Sequence, residues 1–303
     1  MTIKNISKIA AGVALAVAAT ASYGMSTFGS HPKITEEAAK YGMWAPEAMQ
    51  LLKASVVYPD RDFNTTGGDK DYIPEVHFDR YQTETNKEAF TNGIVMFRKN
   101  LAAASKMAIV GDLNGAFTYL GSALHASEDF ISHSNYIEMS EKEQRIIDEI
   151  FFEGRDINDV PKSLKLTHYD PDMPIPGIPE GSDYPHNIMS KDYPFRGKVS
   201  RRHFENYDAL GYEVAFDKGV RYGRRVLNAF MLSVPEDVYR TMTNVELWNV
   251  YPPKPSNCKV GSVEKITFGT GMDANVNVVC EGKPDYIYPP LTNRKQPPAG
   301  YLD

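Results

Sequence analysis

The chain has 303 residues, a net charge of −6 and a sequence isoelectric point near 5.7. It has no dense run of basic residues, which argues against a dedicated nucleic-acid-binding surface. A nuclease whose metal ions handle the phosphate stays open. Roughly 280 residues remain after the N-terminal signal described next, enough for one large domain or for a large domain with an appendage.

The first 21 residues have the three parts of a secretory signal peptide. Lys4 and Lys8 form a positive segment, residues 9–19 form a short apolar segment, and Ala19-Thr20-Ala21 is a cleavage site of small residues. We expect cleavage after Ala21, with Gly24 as the alternative. No later segment has about 18 uninterrupted apolar residues, so we expect a soluble mature protein that is secreted or periplasmic.

Two helical regions flank a long loop in the first half of the chain. Residues 33–53 predict a helix that starts near Thr35 and is interrupted near Pro46, and residues 84–110 predict a long helix that Gly111 ends. Between them, residues 54–81 contain two prolines, paired glycines and many aspartates, a composition typical of turns. A loop this long inside a compact domain tends to be functional.

The next predicted helix, capped by Asp112, carries His125, Asp129 and His133 at intervals of four residues. Each step of four advances a side chain only about 40° around the helix axis, so two imidazoles and a carboxylate form one stripe. A single buried histidine is more often a hydrogen-bonded core residue. Three potential ligands in one stripe favour a metal site, because these groups are the usual zinc ligands in reactive sites. Glu138, farther on, is expected to be a solvated helix-end residue rather than a partner of a ligating histidine.

The second half of the chain changes character twice. Residues 140–152 predict a short helix, residues 155–199 an extended segment and residues 201–233 another helix. Alternating β-type runs then predict a small appendage at residues 241–303. Its Cys258 and Cys280 are expected to form one disulfide, a thiolate ligand or nucleophile being the weaker alternative. The predicted fold class is mainly α: a multi-helix metal-binding catalytic domain at residues 22–240 and a disulfide-closed β appendage at the C-terminus.

The stretch FTYLGSALHASEDFISHSN, residues 117–135, resembles the zinc-dependent phospholipase C and S1/P1-type nuclease superfamily. Its continuation DFISHSNYIE looks most like the Het-C-like and Pseudomonas-type phospholipase C branch. Upstream, FGSHPKIT at residues 28–35 resembles the N-terminal segment of the family. YPD at residues 58–60 and VHFD at residues 76–79 fall in the loop where the family places an Asp ligand and a His ligand. The resemblance covers roughly residues 25–235 and implies a phospholipase C-like helical domain.

The resemblance also implies three metal ions, usually zinc. The first ion would have four ligands: Asp60, His77, His125 and Asp129. Asp129 would also bridge to a second ion, which His31 and the N-terminal residue, Ser22 or Met25, would hold. His133 would bind the third ion with His186 and Asp192, in preference to the rivals His168 and His203.

Paired ions explain how such a site would hydrolyse a phosphoric ester. Two ions about 3.5–4 Å apart bind the phosphoryl oxygens, activate a water and neutralise charge on the leaving oxygen. Asp60, if bound through one oxygen, keeps the other to accept a proton from the water, which makes it the candidate catalytic base.

The resemblance implies an enzyme with two to three zinc ions that cleaves the glycerol–phosphate bond of phospholipids at a membrane surface. Alternatives are a nuclease or phosphomonoesterase on the same scaffold, a Het-C-like toxin or interaction protein without enzymatic activity, and a closed structural metal site.

Overall fold

A computed structural model describes residues 30–61, 74–81, 83–168, 189–191, 201–204, 207–245, 258–268 and 272–280. Its α-helices in chain order are α1 Ser30–Ala39, α2 Pro46–Ser55, α3 Tyr58–Arg61, α4 Pro74–His77, α5 Asn86–Val110, α6 Leu113–Ser132, α7 Glu141–Phe152, α8 Gly211–Ser233 and α9 Glu236–Thr243. Two short 3-10 helices are Tyr136–Glu138 and Ile157–Asp159. The strands are β1 Arg201–Phe204, β2 Tyr207–Leu210, β3 Cys258–Phe268 and β4 Met272–Cys280. The protein is thus mainly helical, as predicted.

Local signals set the boundaries of the central helix pair, α5 and α6. Thr85 and Glu88 form a reciprocal capping box at the start of α5. Gly111 ends α5 in the left-handed region, at φ 87°, which glycine adopts without steric cost. The Asp112 side chain then accepts a hydrogen bond from the Gly115 N–H and begins α6. The predicted end of one helix and the predicted cap of the next are both confirmed.

Helix α6 lies at the centre of the fold and is buried along most of its length. One of its sides contributes Phe130 to an aromatic cluster. The centroid of the Phe130 ring lies 5.2 Å from that of Phe78 and 4.9 Å from that of Phe151. Such aromatic contacts supply a large part of the apolar area that holds a helical domain together. Asp129, the preceding residue, faces away from this cluster and toward the site described below.

Helix α2 approaches the other side of α6 at Gly121. A Cβ added at this glycine would lie 2.4 Å from the carbonyl carbon and oxygen of Ser55, so only glycine permits the approach. One turn farther along α6, the Nδ1 atom of His125 contacts the Val56 carbonyl oxygen at 2.8 Å. The close approach of the two helices therefore positions a predicted ligand.

Three predicted elements differ from the structure. Helix α1 begins at Ser30 rather than near Thr35, so His31 lies in its first turn. The predicted loop at residues 54–81 contains the short helices α3 and α4.

The third difference is that strands β1 and β2 pair antiparallel, with Phe204 opposite Tyr207, and helix begins only at Gly211. The spacing of Phe204, Tyr207 and Leu210 fits one face of a helix, but a short apolar pattern does not distinguish helix from strand.

At the C-terminal end, β3 and β4 pair antiparallel with Cys258 opposite Cys280. The disulfide between them stays a prediction. The predicted signal peptide and most of the predicted extended segment at residues 155–199 lie outside the described residues. Among the described helices, none has the length and apolar character needed to cross a bilayer.

Candidate metal centre

Four separate helices bring ionisable side chains to one buried point. His31 comes from the first turn of α1, Asp60 from α3, His77 from the end of α4, and His125 and Asp129 from α6. His133 is the residue that caps the C-terminus of α6. All six side chains are at most 2% exposed. Burying so many ionisable groups together is unfavourable unless they pair with each other or bind an ion.

Asp129 is the centre of this arrangement, with two imidazoles at each carboxylate oxygen. Its Oδ2 lies 2.8 Å from His77 Nδ1 and 2.9 Å from His125 Nε2. Its Oδ1 lies 3.3 Å from His31 Nε2 and 3.8 Å from His133 Nε2. The four rings therefore form two pairs, one for each oxygen, as a carboxylate that bridges two ions requires.

Asp60 joins the pair on the Oδ2 side. Its Oδ1 lies 3.6 Å from His125 Nε2 and 4.0 Å from His77 Nδ1. Two groups have ligand atoms close enough to share an ion: Asp60, His77 and His125 form one, and His31, His125 and Asp129 form the other. His125 belongs to both, but its short contacts to His77 and to Asp129 Oδ2 place it with the first.

Backbone carbonyls determine which ring nitrogens face the centre. His125 Nδ1 lies 2.8 Å from the Val56 oxygen and His133 Nδ1 lies 2.7 Å from the His77 oxygen. Because a carbonyl oxygen only accepts, each Nδ1 must carry the proton, so a neutral ring presents a lone pair at Nε2. His125 Nε2 lies 2.9 Å from a carboxylate oxygen of Asp129. Such a contact is favourable only when a proton or a metal ion lies between the two atoms, and this position suits a metal ligand.

Two buried polar atoms that lack a hydrogen-bond partner in the described part of the chain also favour a metal ion at this position. His31 Nε2 and Asp129 Oδ1 are buried, and neither has a hydrogen-bond partner within the described residues. Buried polar atoms are seldom left this way without a functional reason such as an ion. A site of imidazole and carboxylate ligands, with histidines whose second nitrogen is held by an oxygen, fits zinc or a related divalent ion.

The pKa values of Asp129, His31 and His77 are shifted in different directions by burial and by neighbouring charges. Burial favours the neutral form of Asp129, but His133, His125 and His31 outweigh it and hold the pKa of this carboxyl well below its usual range. Burial also opposes protonation of His31, but Asp129 and Glu128 raise its pKa well above the ordinary value. For His77 burial prevails and lowers the pKa, although Asp129 opposes it. The centre therefore keeps an ionised carboxylate that attracts a cation.

An unusual backbone conformation places His77. Phe78, the next residue, has φ 53°, in the left-handed region that a bulky residue seldom adopts. Its ring packs over α5 at Gly93, where an added Cβ would lie 2.5 Å from the ring. The turn at Phe78 lets the chain place His77 at Asp129 and Asp79 near His133, whose Nδ1 lies 3.6 Å from Asp79 Oδ2.

Three buried site residues were absent from the sequence-based prediction. Glu128 contacts His31 Nδ1 at 2.6 Å, and Thr35 donates to the same carboxylate. Asp79 accepts a hydrogen bond from Thr167. The signal available in the sequence was the position of Glu128, one residue before Asp129 on a helix that is otherwise apolar or small on its buried faces. Glu138, expected to be solvated, is mostly buried, and its carboxylate lies 3.9 Å from Lys191 Nζ.

Of the three ligands predicted for the third ion, His133 lies in this cluster, with its Nε2 3.8 Å from Asp129 Oδ1. The other two, His186 and Asp192, lie outside the described part of the chain. The neighbouring Lys191 contacts the end of α6, where its backbone N–H donates to the Ser132 oxygen and its Nζ to the Ser134 oxygen. His168 pairs with Arg80 through a β-bridge, and His203 lies in β1.

The stretch that contains most of this centre also has a counterpart among known families. Residues 42–157 match the family model of the Heterokaryon incompatibility protein Het-C. This range holds Asp60, His77, His125, Asp129 and His133, whereas His31 precedes it. The comparison with curated proteins gave no match, and neither did the comparison with solved structures.

Proposed function

We propose that this Het-C-like protein is a secreted or periplasmic, zinc-dependent phosphoric ester hydrolase of phospholipase C type. The observation that carries the proposal is the Asp129 carboxylate, whose two oxygens each face two imidazoles in a buried cluster. Such a cluster suits two zinc ions, with the third ion depending on His186 and Asp192. Bound zinc would supply Lewis acidity toward the phosphoryl oxygens and would acidify a water.

The residues of the site would have three different roles: binding the ions, orienting the ligands and accepting a proton. His77, His125 and Asp60 would hold one ion and His31 a second, with Asp129 between them. The resemblance predicts that His133 binds the third ion; because its Nε2 lies on the Oδ1 side of Asp129, as that of His31 does, we assign it instead to the second ion. The carbonyls of Val56 and His77 would keep the His125 and His133 rings aimed at the centre, because each binds the opposite ring nitrogen. Asp60 lies within 4.0 Å of two ligand nitrogens and would accept the proton of the attacking water.

The first test is metal content per chain by plasma mass spectrometry on the purified protein, together with Asp129→Asn. We expect two to three zinc ions in the wild type and a sharp fall in the variant. Asp148→Asn is the matched control, because this carboxylate binds Tyr136 and Tyr222 away from the centre. A content of one zinc ion or none per chain in the wild type, with the same content in Asp129→Asn, would contradict the proposal.

The second test concerns the substrate. Hydrolysis of phosphatidylcholine vesicles is expected from the zinc-loaded wild type and not from Asp129→Asn. Single-stranded DNA and a simple phosphomonoester, assayed in parallel, separate the phospholipase from a nuclease or phosphomonoesterase on the same scaffold. Turnover of DNA alone would reassign the substrate while keeping the metal chemistry.

The Het-C match favours a second candidate, a membrane-active toxin or interaction protein without catalysis. The two candidates differ in what Asp129→Asn does to leakage of dye from lipid vesicles. If the protein is a hydrolase, Asp129→Asn loses leakage together with the release of phosphocholine. A variant that binds no zinc yet still causes full leakage would favour the non-enzymatic candidate.

A further inference from the structure

Glu128 is a fully buried carboxylate beside the centre that none of the predicted ligand sets includes. Its Oε2 lies 2.6 Å from His31 Nδ1, and its Oε1 accepts a hydrogen bond of 3.0 Å from Thr35 Oγ1. His31 and Thr35 are four residues apart on α1, so they present one face of that helix to a single carboxylate. Burial raises the pKa of Glu128, and the bonds from His31 and Thr35 oppose this shift.

The His31 ring is held in place at one edge and on one face. Nδ1 is held by Glu128, so Nε2 points at Asp129 Oδ1, 3.3 Å away. The ring also stacks on His125 with a centroid distance of 4.1 Å. A ring held at one nitrogen and on one face has a single orientation, and its other nitrogen is the one available to an ion.

We propose that Glu128 is the positioning residue of His31: it selects the ring orientation in which Nε2 faces the Asp129 carboxylate and thereby builds the second half of a divalent-cation site. This inference rests on the proposed function for the identity of the site as a metal centre. It extends that function by joining α1 to the centre through a carboxylate–histidine pair. Thr35 holds Glu128 in turn.

The test uses three substitutions in the full chain and the zinc affinity of the metal-free protein. Glu128→Gln keeps the shape and can still accept from His31, but it removes the charge. Thr35→Val keeps the carboxylate and removes one of its bonds. Asp148→Asn removes a carboxylate elsewhere in the helical domain. Zinc is titrated in competition with a chelator, and the visible spectrum of the cobalt-loaded protein reports the geometry around the ions.

We expect Glu128→Gln to weaken one of the bound ions about 10- to 100-fold and to leave the other unchanged, as is usual when the partner of a ligating histidine is altered. Thr35→Val should have a smaller effect of the same kind, and Asp148→Asn none. The cobalt spectrum should change in Glu128→Gln alone or most strongly there. Nitrogen NMR of the His31 ring should show a protonated Nδ1 in the wild type and a weaker Nδ1 hydrogen bond in Glu128→Gln.

The outcomes separate this inference from the proposed function. If the wild type binds zinc and Glu128→Gln binds it equally tightly with an unchanged cobalt spectrum, the role of Glu128 is overturned and the proposed function stands. If the wild type takes up no zinc at all, both are overturned. Loss of affinity in Asp148→Asn equal to that in Glu128→Gln would also overturn the positioning role, because the effect would then be a general loss of structure.

Discussion

At the scale of residues, the centre is organised by the two oxygens of one carboxylate. His77 and His125 contact Asp129 Oδ2, whereas His31 and His133 lie nearest Oδ1. Each pair joins a residue of α6 or its C-cap to a residue of a second helix, α4 for His77 and α1 for His31, so the two pairs depend in part on different packing contacts. A substitution in one pair should therefore affect one ion more than the other.

This asymmetry is testable with His31→Gln and His77→Gln. Each variant removes one candidate imidazole ligand, and the two imidazoles lie next to different oxygens of Asp129. Each single variant should therefore lose close to one zinc ion per chain, and the double variant should lose two. Native mass spectrometry of the zinc-loaded proteins gives the stoichiometry directly. Complete loss of metal in either single variant would show that the ions bind only as a unit.

Another residue-scale feature is a pair of buried tyrosines that share one carboxylate. Tyr136 and Tyr222 donate to Asp148 Oδ1 at 2.7 and 2.6 Å. Burial and the nearby Asp148 raise the pKa of Tyr136 above its usual value, and burial and the neighbouring Tyr136 raise that of Tyr222 still more clearly. These hydroxyls therefore stay neutral in the folded protein where unfolded tyrosine would ionise.

The consequence is a loss of stability in alkali. A group whose pKa is raised by folding stabilises the protein fully below its unfolded pKa, about 10 for tyrosine, and this contribution is lost as the pH rises further. We expect the free energy of unfolding in urea to fall above about pH 10, and to fall less steeply in Tyr222→Phe. At pH 7 that variant should be about 0.5–1.5 kcal/mol less stable, because a hydrogen bond is missing. An equally steep alkaline fall in the variant would contradict the assignment.

At the scale of elements, the position of α2 against α6 decides whether His125 meets its carbonyl partner. The contact depends on Gly121, which allows the backbone of Ser55 to approach. The Val56 oxygen, one residue later, then reaches His125 Nδ1. A widening of this crossing would move the carbonyl away from the ring.

Gly121→Ala should therefore affect both stability and metal binding. The new methyl group would overlap the Ser55 backbone, which cannot yield as a flexible side chain can, so we expect a loss of about 1–3 kcal/mol in unfolding free energy and a lower zinc affinity. Gly219→Ala on α8 is the matched control, since its Cβ would meet only the side chain of Ile34, at 3.3 Å. The better helix propensity of alanine, about 1 kcal/mol, offsets that contact. Urea unfolding and zinc titration of both variants measure the difference.

At the scale of the whole molecule, the candidate ions would tie together four helices, α1, α3, α4 and α6. These helices meet through buried ionisable side chains, among which His31 Nε2 and Asp129 Oδ1 lack a hydrogen-bond partner within the described residues. Metal binding is then coupled to the stability of the domain, because an ion that binds only the folded state stabilises it.

Removal of zinc by a chelator should lower the melting temperature of the wild type. An ion present at 100 times its dissociation constant stabilises the folded state by about 2.7 kcal/mol, and about 2–4 °C of melting temperature corresponds to each kcal/mol in a domain of this size. Circular dichroism melts with and without chelator measure the shift, which readdition of zinc should reverse. Asp129→Asn should melt at one temperature under both conditions; a chelator shift of equal size in this variant would place the stabilising ion elsewhere.

Local sequence signals were enough for the central helices and for the ligand stripe. Thr85, Gly111 and Asp112 mark helix ends because a cap or a left-handed residue acts through its nearest neighbours in the chain. The interval of four correctly placed His125 and Asp129 on one face of α6, whereas the helix ends at Ser132 and His133 follows as its C-cap rather than as a third helical position.

Tertiary packing determined which side chains the candidate ligands contact. His77 reaches Asp129 across 52 positions and His31 reaches Glu128 across 97. No local preference encodes such contacts, because they depend on how α1 and α4 pack against α6. The pairing of β1 with β2 was missed for a related reason: the apolar spacing of these residues suits either a helix or a strand, and only pairing with a neighbouring strand distinguishes them. The sequence by itself thus determined the central helices and the residue types of the candidate ligands, and the packing of distant helices determined which of these side chains meet.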